Sequence, residues 1–340
     1  MNINKFNAHE KIFQYYDKLD YFLNGYKTLI SLELDLTNLC NNQCPECVGV
    51  RDNPVSLTFE QIKKLVDQLS NDFDMKSIII SGGGEPLLHP NFCEILYYIK
   101  QKGLKIGLNS NGLALNAEKA KAIIDCCSYF RISLDAGTPE IYIKTHGMNE
   151  ESFNKVIKNI KMFSNMKKDL KSDISFGTGF LTSELTKVDI FNFLKLSKEC
   201  GADFGQLRPF TGDFTCITNE LNEAKKIFED ENFKIAASIH KYSRFNDQEK
   251  RPYKRCYGMF FNTVVTADFK VFACLHHRQD SKYFLGDLNK ETMKEIWRSS
   301  RIREVFENID CGHCPYFCRN DDMNRSLYNI SKSIPHKEFL

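Results

Sequence analysis

From residue 31 onward the chain repeats one unit: a short apolar run, then a longer stretch whose apolar residues recur at helical spacing. The runs SLELDL (31–36), KSIII (76–80), LKIGLN (104–109), YFRISLD (129–135), DISFGTGFL (173–181) and FGQLRPF (204–210) read as six strands. Between the first two, Thr58 and Gln61 form a capping box ahead of an apolar stripe of Phe59, Ile62, Leu65, Val66 and Leu69. Pro90 opens and Gly103 closes a helix with Phe92, Ile95, Leu96 and Ile99 on one side. Further helices are predicted over 117–127, over 151–163 with Phe153, Val156, Ile157, Ile160 and Phe163 inward, over 185–199 before Gly201, and near 220–240. Six strand–helix units with right-handed crossovers predict an α/β fold, a partial (β/α)6 TIM-like barrel. Ligands of such folds gather at the carboxyl ends of the strands, so function is sought in the loops that leave those ends.

The rest of the chain divides around this core. Residues 1–30 read as an N-terminal helical extension, with Ile12, Phe13, Tyr16, Leu19, Phe22 and Leu23 at helical spacing, and 31–240 as the barrel. The polar run KYSRFNDQEKRPYKR (241–255) reads as a linker. Residues 256–320 read as a small β-hairpin/helix domain, with hairpin strands in MFFNTVVT (259–266) and KVFACL (270–275) and a helix over 290–306 carrying Trp297. Residues 321–340 read as a polar, loosely ordered tail. The 46 basic and 44 acidic residues are spread along the chain, and no basic stripe indicates a nucleic-acid partner. No apolar run approaches membrane-spanning length and the first thirty residues lack a signal peptide's apolar core, so a cytoplasmic protein is expected.

In a reducing compartment, clustered cysteines point to metal ligands rather than disulfides. Eight of the thirteen fall into two groups, Cys40, Cys44 and Cys47 near the start and Cys256, Cys274, Cys311, Cys314 and Cys318 near the end. Cys93, Cys126, Cys127, Cys200 and Cys216 read as small buried hydrophobes. The first group stands in CNNQCPEC, in the loop after the first strand. Three thiols on one short loop can serve three corners of a [4Fe–4S] cluster and leave the fourth iron for a ligand that is not protein. Half of a zinc site completed elsewhere is the alternative. SGGGEP (81–86) follows the second strand; its glycines let backbone approach a ligand, and Glu85 adds a negative charge suited to an ammonium group. Asn109, Ser110, Asn111, Ser133 and Asp135 put polar groups at two further strand ends, where turn capping is the competing role. Arg208 follows as a candidate contact to cofactor or substrate. As a bare pattern the C-terminal cysteines fit zinc or iron–sulfur, with His313 between two of them. His276, His277, His146 and Tyr142 read as structural more than ligating.

Cys-x3-Cys-x2-Cys after a first strand, with a GGE segment one unit later, resembles the radical S-adenosylmethionine enzymes. One position departs, since Glu46 stands where that family usually has an aromatic before its third cysteine. The resemblance implies that Cys40, Cys44 and Cys47 hold a [4Fe–4S] cluster and that Gly82, Gly83, Gly84 and Glu85 hold the amino group of S-adenosylmethionine. It also implies that Asn109, Ser133 and Asp135 lie against the rest of that cofactor. The hairpin, GDLN (286–289), EIW (295–297) and the clustered cysteines resemble the family's SPASM/Twitch auxiliary domain. Five cysteines then imply one auxiliary [4Fe–4S] cluster, held by Cys256, Cys274, Cys311 and Cys314 with Cys318 as the substitute.

The implied activity is generation of a 5′-deoxyadenosyl radical and abstraction of hydrogen from a small polyhydroxylated or amino-sugar-like substrate, with oxidation (dehydrogenation) or rearrangement. A small-molecule substrate and an electron donor such as flavodoxin or ferredoxin are the implied partners. A peptide- or protein-modifying maturase is the alternative, and a non-catalytic zinc-binding protein the third reading.

Overall fold

The computed structural model describes residues 11–25, 28–47, 49, 54–242 and 251–332. Seven parallel strands follow one another across the sheet in chain order: β1 (Ser31–Leu34), β2 (Ser77–Ile80), β3 (Lys105–Ser110), β4 (Cys127–Ser133), β5 (Ser175–Thr182), β6 (Phe204–Pro209) and β7 (Lys234–Ala237). The six expected strands are all present, in a sheet that is not closed, as a partial barrel requires. The seventh lies where the sequence reading continues a helix. Asp230 ends that helix by accepting the backbone N–H groups of Asn232 and Phe233, both at 2.8 Å, and the freed chain pairs with β6. Local propensity yields there to a partner strand.

Alternation sets the two faces of the sheet. Leu32 and Leu34 of β1, Ile78 and Ile80 of β2, and Phe130 and Ile132 of β4 are fully buried. They pack under helices such as Phe59–Asp72, whose Ile62, Leu65, Val66 and Leu69 are equally buried and whose capping box is formed as expected. Phe130, Phe163 and Phe176 make one aromatic contact group, with ring centroids 4.5 to 5.5 Å apart. The intervening positions, Glu33, Arg131, Ser133, Gln206 and Arg208 among them, therefore face the barrel interior.

The C-terminal hairpin extends the same sheet. β8 (Asn262–Val265) pairs in parallel with the free edge of β1, from Ser31↔Asn262 to Leu34↔Val265. β9 (Lys270–Phe272) and β10 (Phe284–Asp287) follow antiparallel, giving one ten-stranded sheet with β10 and β7 at its edges. The N-terminal helix Tyr16–Leu23 packs Phe22 against Tyr257, Phe260 and Phe261, just ahead of β8. Residues 1–10 of the expected extension, and 243–250 of the expected linker, lie outside the described residues.

Two further elements differ from the sequence reading. The helix expected over 290–306 is two helices, Met293–Arg298 and Ser300–Asn308, because Ser299 between them is extended and its hydroxyl donates to the Ile296 carbonyl. Residues 321–331, part of the expected polar tail, form the helix Asp321–Ser331 with Asp321, Asp322, Met323, Asn324 and Leu327 buried. Its polar residues are there to bond to backbone and side chains of the hairpin approach. Asn324 accepts the Gly258 backbone N–H at 2.7 Å, and its amide donates to Cys256 Sγ at 3.6 Å. Replacing Asn324 by Leu strands that buried N–H and is expected to cost about 1–3 kcal/mol. The check is the denaturant midpoint of Asn324→Leu beside wild type; an unchanged midpoint would mean that this helix does not hold the hairpin.

Candidate active site

The loop that leaves β1 is closed at its base and braced along its length. Thr37 and Ser56 form an isolated bridge, with the Ser56 hydroxyl donating to the Thr37 hydroxyl at 2.7 Å, and Asn38 Oδ1 accepts the Val55 N–H at 2.6 Å. Within the loop, Cys40 and Cys44 are half-buried and Cys47 is exposed, as is Glu46. Gln43 N–H donates to the His146 carbonyl at 3.0 Å, tying the loop to the helix that follows β4. Asn111, just beyond β3, donates to Asn41 Oδ1 at 2.7 Å and approaches Cys40 Sγ at 3.9 Å.

The triple-glycine loop after β2 presses on this thiol loop. Glu85 N–H donates to the Leu39 carbonyl at 2.7 Å, and a Cβ on Gly84 would lie 2.1 Å from that carbonyl oxygen, so only glycine fits. Gly82 sits at φ +55, and a Cβ there would collide with the Arg278 guanidinium. The Glu85 side chain is turned inward and only 2% exposed. Its carboxylate accepts Leu87 N–H at 3.0 Å, the Ser110 hydroxyl at 2.7 Å and Asn111 N–H at 2.7 Å, locking β2 to β3 while burial pushes its pKa up. Asp135 has a comparable bracing contact: at φ 48, its carboxylate accepts the Leu181 N–H at 2.6 Å across the β4–β5 ends. Ser133 is half-buried with its carbonyl on His146 Nε2 at 3.2 Å, and Asn109 Oδ1 is buried without a partner. His146 stacks on Tyr142 with centroids 4.3 Å apart, the structural role expected of both.

The C-terminal cysteines converge. Cys256, Cys274, Cys311, Cys314 and Cys318 all line one internal cavity, with Asn324 in its wall. Arg251 fixes the loop that carries three of them, its guanidinium donating to the carbonyls of Cys311, Cys314 (3.1 Å) and Pro315 (2.7 Å). Tyr253 donates to Asp321, fastening the C-terminal helix beside it. The Cys311 thiol donates to Cys314 and holds it down at about 5, while burial pushes Cys318 up to about 12. Thiols so crowded cannot all ionise without a cation among them. His277 stacks face to face on Tyr283 with centroids 3.9 Å apart, and His313 is exposed beside Asp310 at 3.3 Å. Of the remaining cysteines, Cys126, Cys127 and Cys200 are buried as expected and Cys93 is half-buried, but Cys216 is exposed. It lies in the loop between β6 and the helix Thr218–Phe228, not in the core.

Residues 34–187 match the Radical SAM superfamily, and residues 256–315 match SPASM, an iron–sulfur cluster-binding domain. This is a radical S-adenosylmethionine domain followed by a SPASM domain. Among relatives, the AdoMet-dependent heme synthase of Methanosarcina barkeri is 23% identical over 83% of this chain and 87% of its own length. Mycofactocin maturase MftC of Mycobacterium ulcerans is 33% identical over 36% of this chain and 34% of its own. Streptococcus suis SuiB, solved with its precursor peptide SuiA, has the same fold with a TM-score of 0.65 at 13% identity, over 85% of this chain and 69% of SuiB. The radical S-adenosylmethionine domain takes a [4Fe–4S] cluster and S-adenosylmethionine, and the SPASM domain takes auxiliary iron–sulfur. No described helix is long and apolar enough to cross a membrane.

The residues fit such groups. Among the described residues no three cysteine, histidine or carboxylate side chains meet at a point that would hold a single ion. A cubane takes a thiolate at each corner, so its ligands stand apart around a volume rather than meeting. The SPASM cavity is walled by five thiols, one more than a closed four-ligand cluster uses, and the thiol loop of the first domain lies against a backbone cradle with no side chains at Gly82, Gly83 and Gly84.

Sequence reasoning missed the buried ion group under this cradle. Arg278, just past the two histidines, donates to Glu33 Oε1 at 2.9 Å. Its Nε lies 2.8 Å from Asp35 Oδ2, an ion pair whose N–H is poorly aligned for a hydrogen bond. Arg319 pairs with the other Glu33 oxygen. The signal was present: in SLELDL the charges alternate with leucines, which in a sheet covered by helices puts Glu33 and Asp35 inside the barrel. Burial pushes the Asp35 carboxyl up to about 8 against the pull of Arg278, with Glu33 adding to the rise. An unfolded Asp titrates near ~3.9, so between about pH 4 and 8 the folded state holds the extra proton. That contribution to stability is full below the unfolded value and is lost as pH rises through the folded one. Unfolding midpoints at pH 5 and pH 8 should therefore fall more for wild type than for Asp35→Asn. Equal slopes in the two proteins would contradict this.

Proposed function

We propose that this chain is a radical S-adenosylmethionine enzyme acting on a small polar molecule, polyhydroxylated or amino-sugar-like, bound inside the barrel, with oxidation or rearrangement as the outcome. The observation that carries the reading is the thiol loop of β1 seated against the triple-glycine loop of β2 at the carboxyl end of the sheet. With cluster and S-adenosylmethionine bound, the pair supplies a 5′-deoxyadenosyl radical able to take hydrogen from an unactivated C–H. The chain's own part is positional. Cys40, Cys44 and Cys47 would hold the cluster, the backbone of Gly82–Gly84 the amino group, and Asn109, Ser133 and Asp135 the remainder of the cofactor. Glu85 acts by locking that cradle to β3, through Ser110 and Asn111. Cys256, Cys274, Cys311, Cys314 and Cys318 offer the ligands for the auxiliary cluster, and a flavodoxin- or ferredoxin-like protein is the proposed electron donor.

A relative matched over 83% of this chain and 87% of its own length is a heme synthase, which supports a small-molecule substrate. The segment shared with a maturase at 33% identity favours the second reading, a peptide or protein substrate. Anaerobic, iron-loaded protein given reductant and S-adenosylmethionine is expected to form 5′-deoxyadenosine and methionine in equal amounts, and Cys44→Ala to form neither above background. With a deuterated substrate the label should appear in 5′-deoxyadenosine. A fully iron-loaded wild type that releases no 5′-deoxyadenosine, or a Cys44→Ala that matches it, would sink the proposal.

A further inference from the structure

Two arginines stand on the interior face of the barrel and make no ion pair among the described residues. Arg131 on β4 lies between the fully buried, helix-facing Phe130 and Ile132, and Arg208 on β6 follows the equally buried Leu207. Gly179 on the intervening β5 leaves room for both: a Cβ there would touch Arg131 Cδ and Nε at 3.4 Å and Arg208 Nη2 at 3.8 Å. The two side chains thus lie over the same spot on the sheet, one from each neighbouring strand. Arg131 donates to the neutral amide of Gln206 at 2.5 Å, and its Nε is buried without a partner. Arg208 Nε is also buried without a partner, and its guanidinium makes no hydrogen bond or ion pair among the described residues.

No carboxylate makes a direct ion pair with either arginine among the described residues, although the Asp135 charge attracts Arg208 from a distance. Glu33 holds Arg278 and Arg319, Asp35 holds Arg278, and Asp135 accepts the Leu181 N–H. Burial and then the Arg208 charge pull Lys241 down to about 8. A guanidinium does not readily shed its proton, and a buried unpaired charge destabilises the fold that holds it. Its planar fork matches the two oxygens of a carboxylate or the face of a phosphate.

We infer that Arg131 and Arg208 form a subsite for an oxyanion of the substrate, a carboxylate or a phosphate. The inference rests on the proposed small-molecule reading and narrows it to an anionic molecule. S-adenosylmethionine also has a carboxylate, and Gly179, over which both guanidinium groups lie, pairs with Ser133, so the subsite is level with that residue and anion binding in the presence of the cofactor tells the two apart.

The test uses anaerobic, iron-loaded full chain without reductant, so it does not depend on cofactor cleavage. Thermal unfolding is followed against inorganic phosphate and, separately, malonate, with chloride holding ionic strength constant. A saturable rise in unfolding temperature with one of the two anions is expected, and which anion gives it says whether the group is a phosphate or a carboxylate. Arg131→Gln and Arg208→Gln should each weaken that anion at least tenfold, and exposed Arg303→Gln should not. The rise should persist with saturating S-adenosylmethionine present. Ligand-free Arg208→Gln should unfold at a higher temperature than wild type, because it loses a buried charge that has no direct ion pair. No saturable rise, the same rise in all variants, or its abolition by S-adenosylmethionine would overturn the subsite. So would a ligand-free Arg208→Gln no more stable than wild type. Failure of cofactor cleavage with the anion shift intact would count against the enzyme reading and leave the subsite standing.

Discussion

Strand β1 is hydrogen-bonded on both edges, to β2 from the barrel and to β8 from the C-terminal region, and the rest of the site depends on that sharing. The thiol loop leaves its carboxyl end, while its inward carboxylates, Glu33 and Asp35, anchor Arg278 and Arg319 from the other half of the chain. Backbone ladder and buried ion group act together. The ladder alone would fix the register of the SPASM hairpin, and the ion group fixes the segments just after Cys274 and just after Cys318 over the barrel interior. Breaking one partner of such a group leaves a charge in a dry site, which is why it rigidifies more than it stabilises. Two sets of thiolates are thereby carried on one sheet, with no flexible joint in the ladder between them.

The cysteine cavity is closed by the part of the chain with the least promising composition. Asp321, Asn324 and Asn320 lie on or beside a helix whose polar groups bond to Tyr253, Gly258 and Cys256, and Arg251 gathers three carbonyls of the Cys311–Pro315 turn. Each bond satisfies a group that the cavity wall would otherwise bury unpaired. Hydrophobic burial alone could not shape a pocket lined with thiols and backbone carbonyls. A polar helix can.

The barrel and the thiol loop were legible because their signals are local. Alternation of 2 and 3.6 residues, the Thr58–Gln61 cap, the glycines that stop helices and the spacing of Cys40, Cys44 and Cys47 all sit within a few residues of one another. What was missed is non-local. β7 is a strand because β6 offers an edge; β8 joins β1 across more than two hundred residues; Arg278 meets Glu33 245 residues away. A polar segment such as 321–331 looks like a solvated tail until its partners are known. The side-chain contacts of Glu85 are of the same non-local kind, since its carboxylate braces β3 through Ser110 and Asn111.

The account stands on two separate iron–sulfur sites held by the two thiol sets, and iron with acid-labile sulfide counts them directly. Wild type reconstituted without oxygen should contain about eight irons per chain, as two [4Fe–4S] clusters require, and the triple variant Cys40→Ala/Cys44→Ala/Cys47→Ala about four. Sulfide should fall in step. About four irons in wild type falling to none in the variant would contradict the five-thiol cavity as a cluster site. Stoichiometric zinc with no iron would contradict the account as a whole.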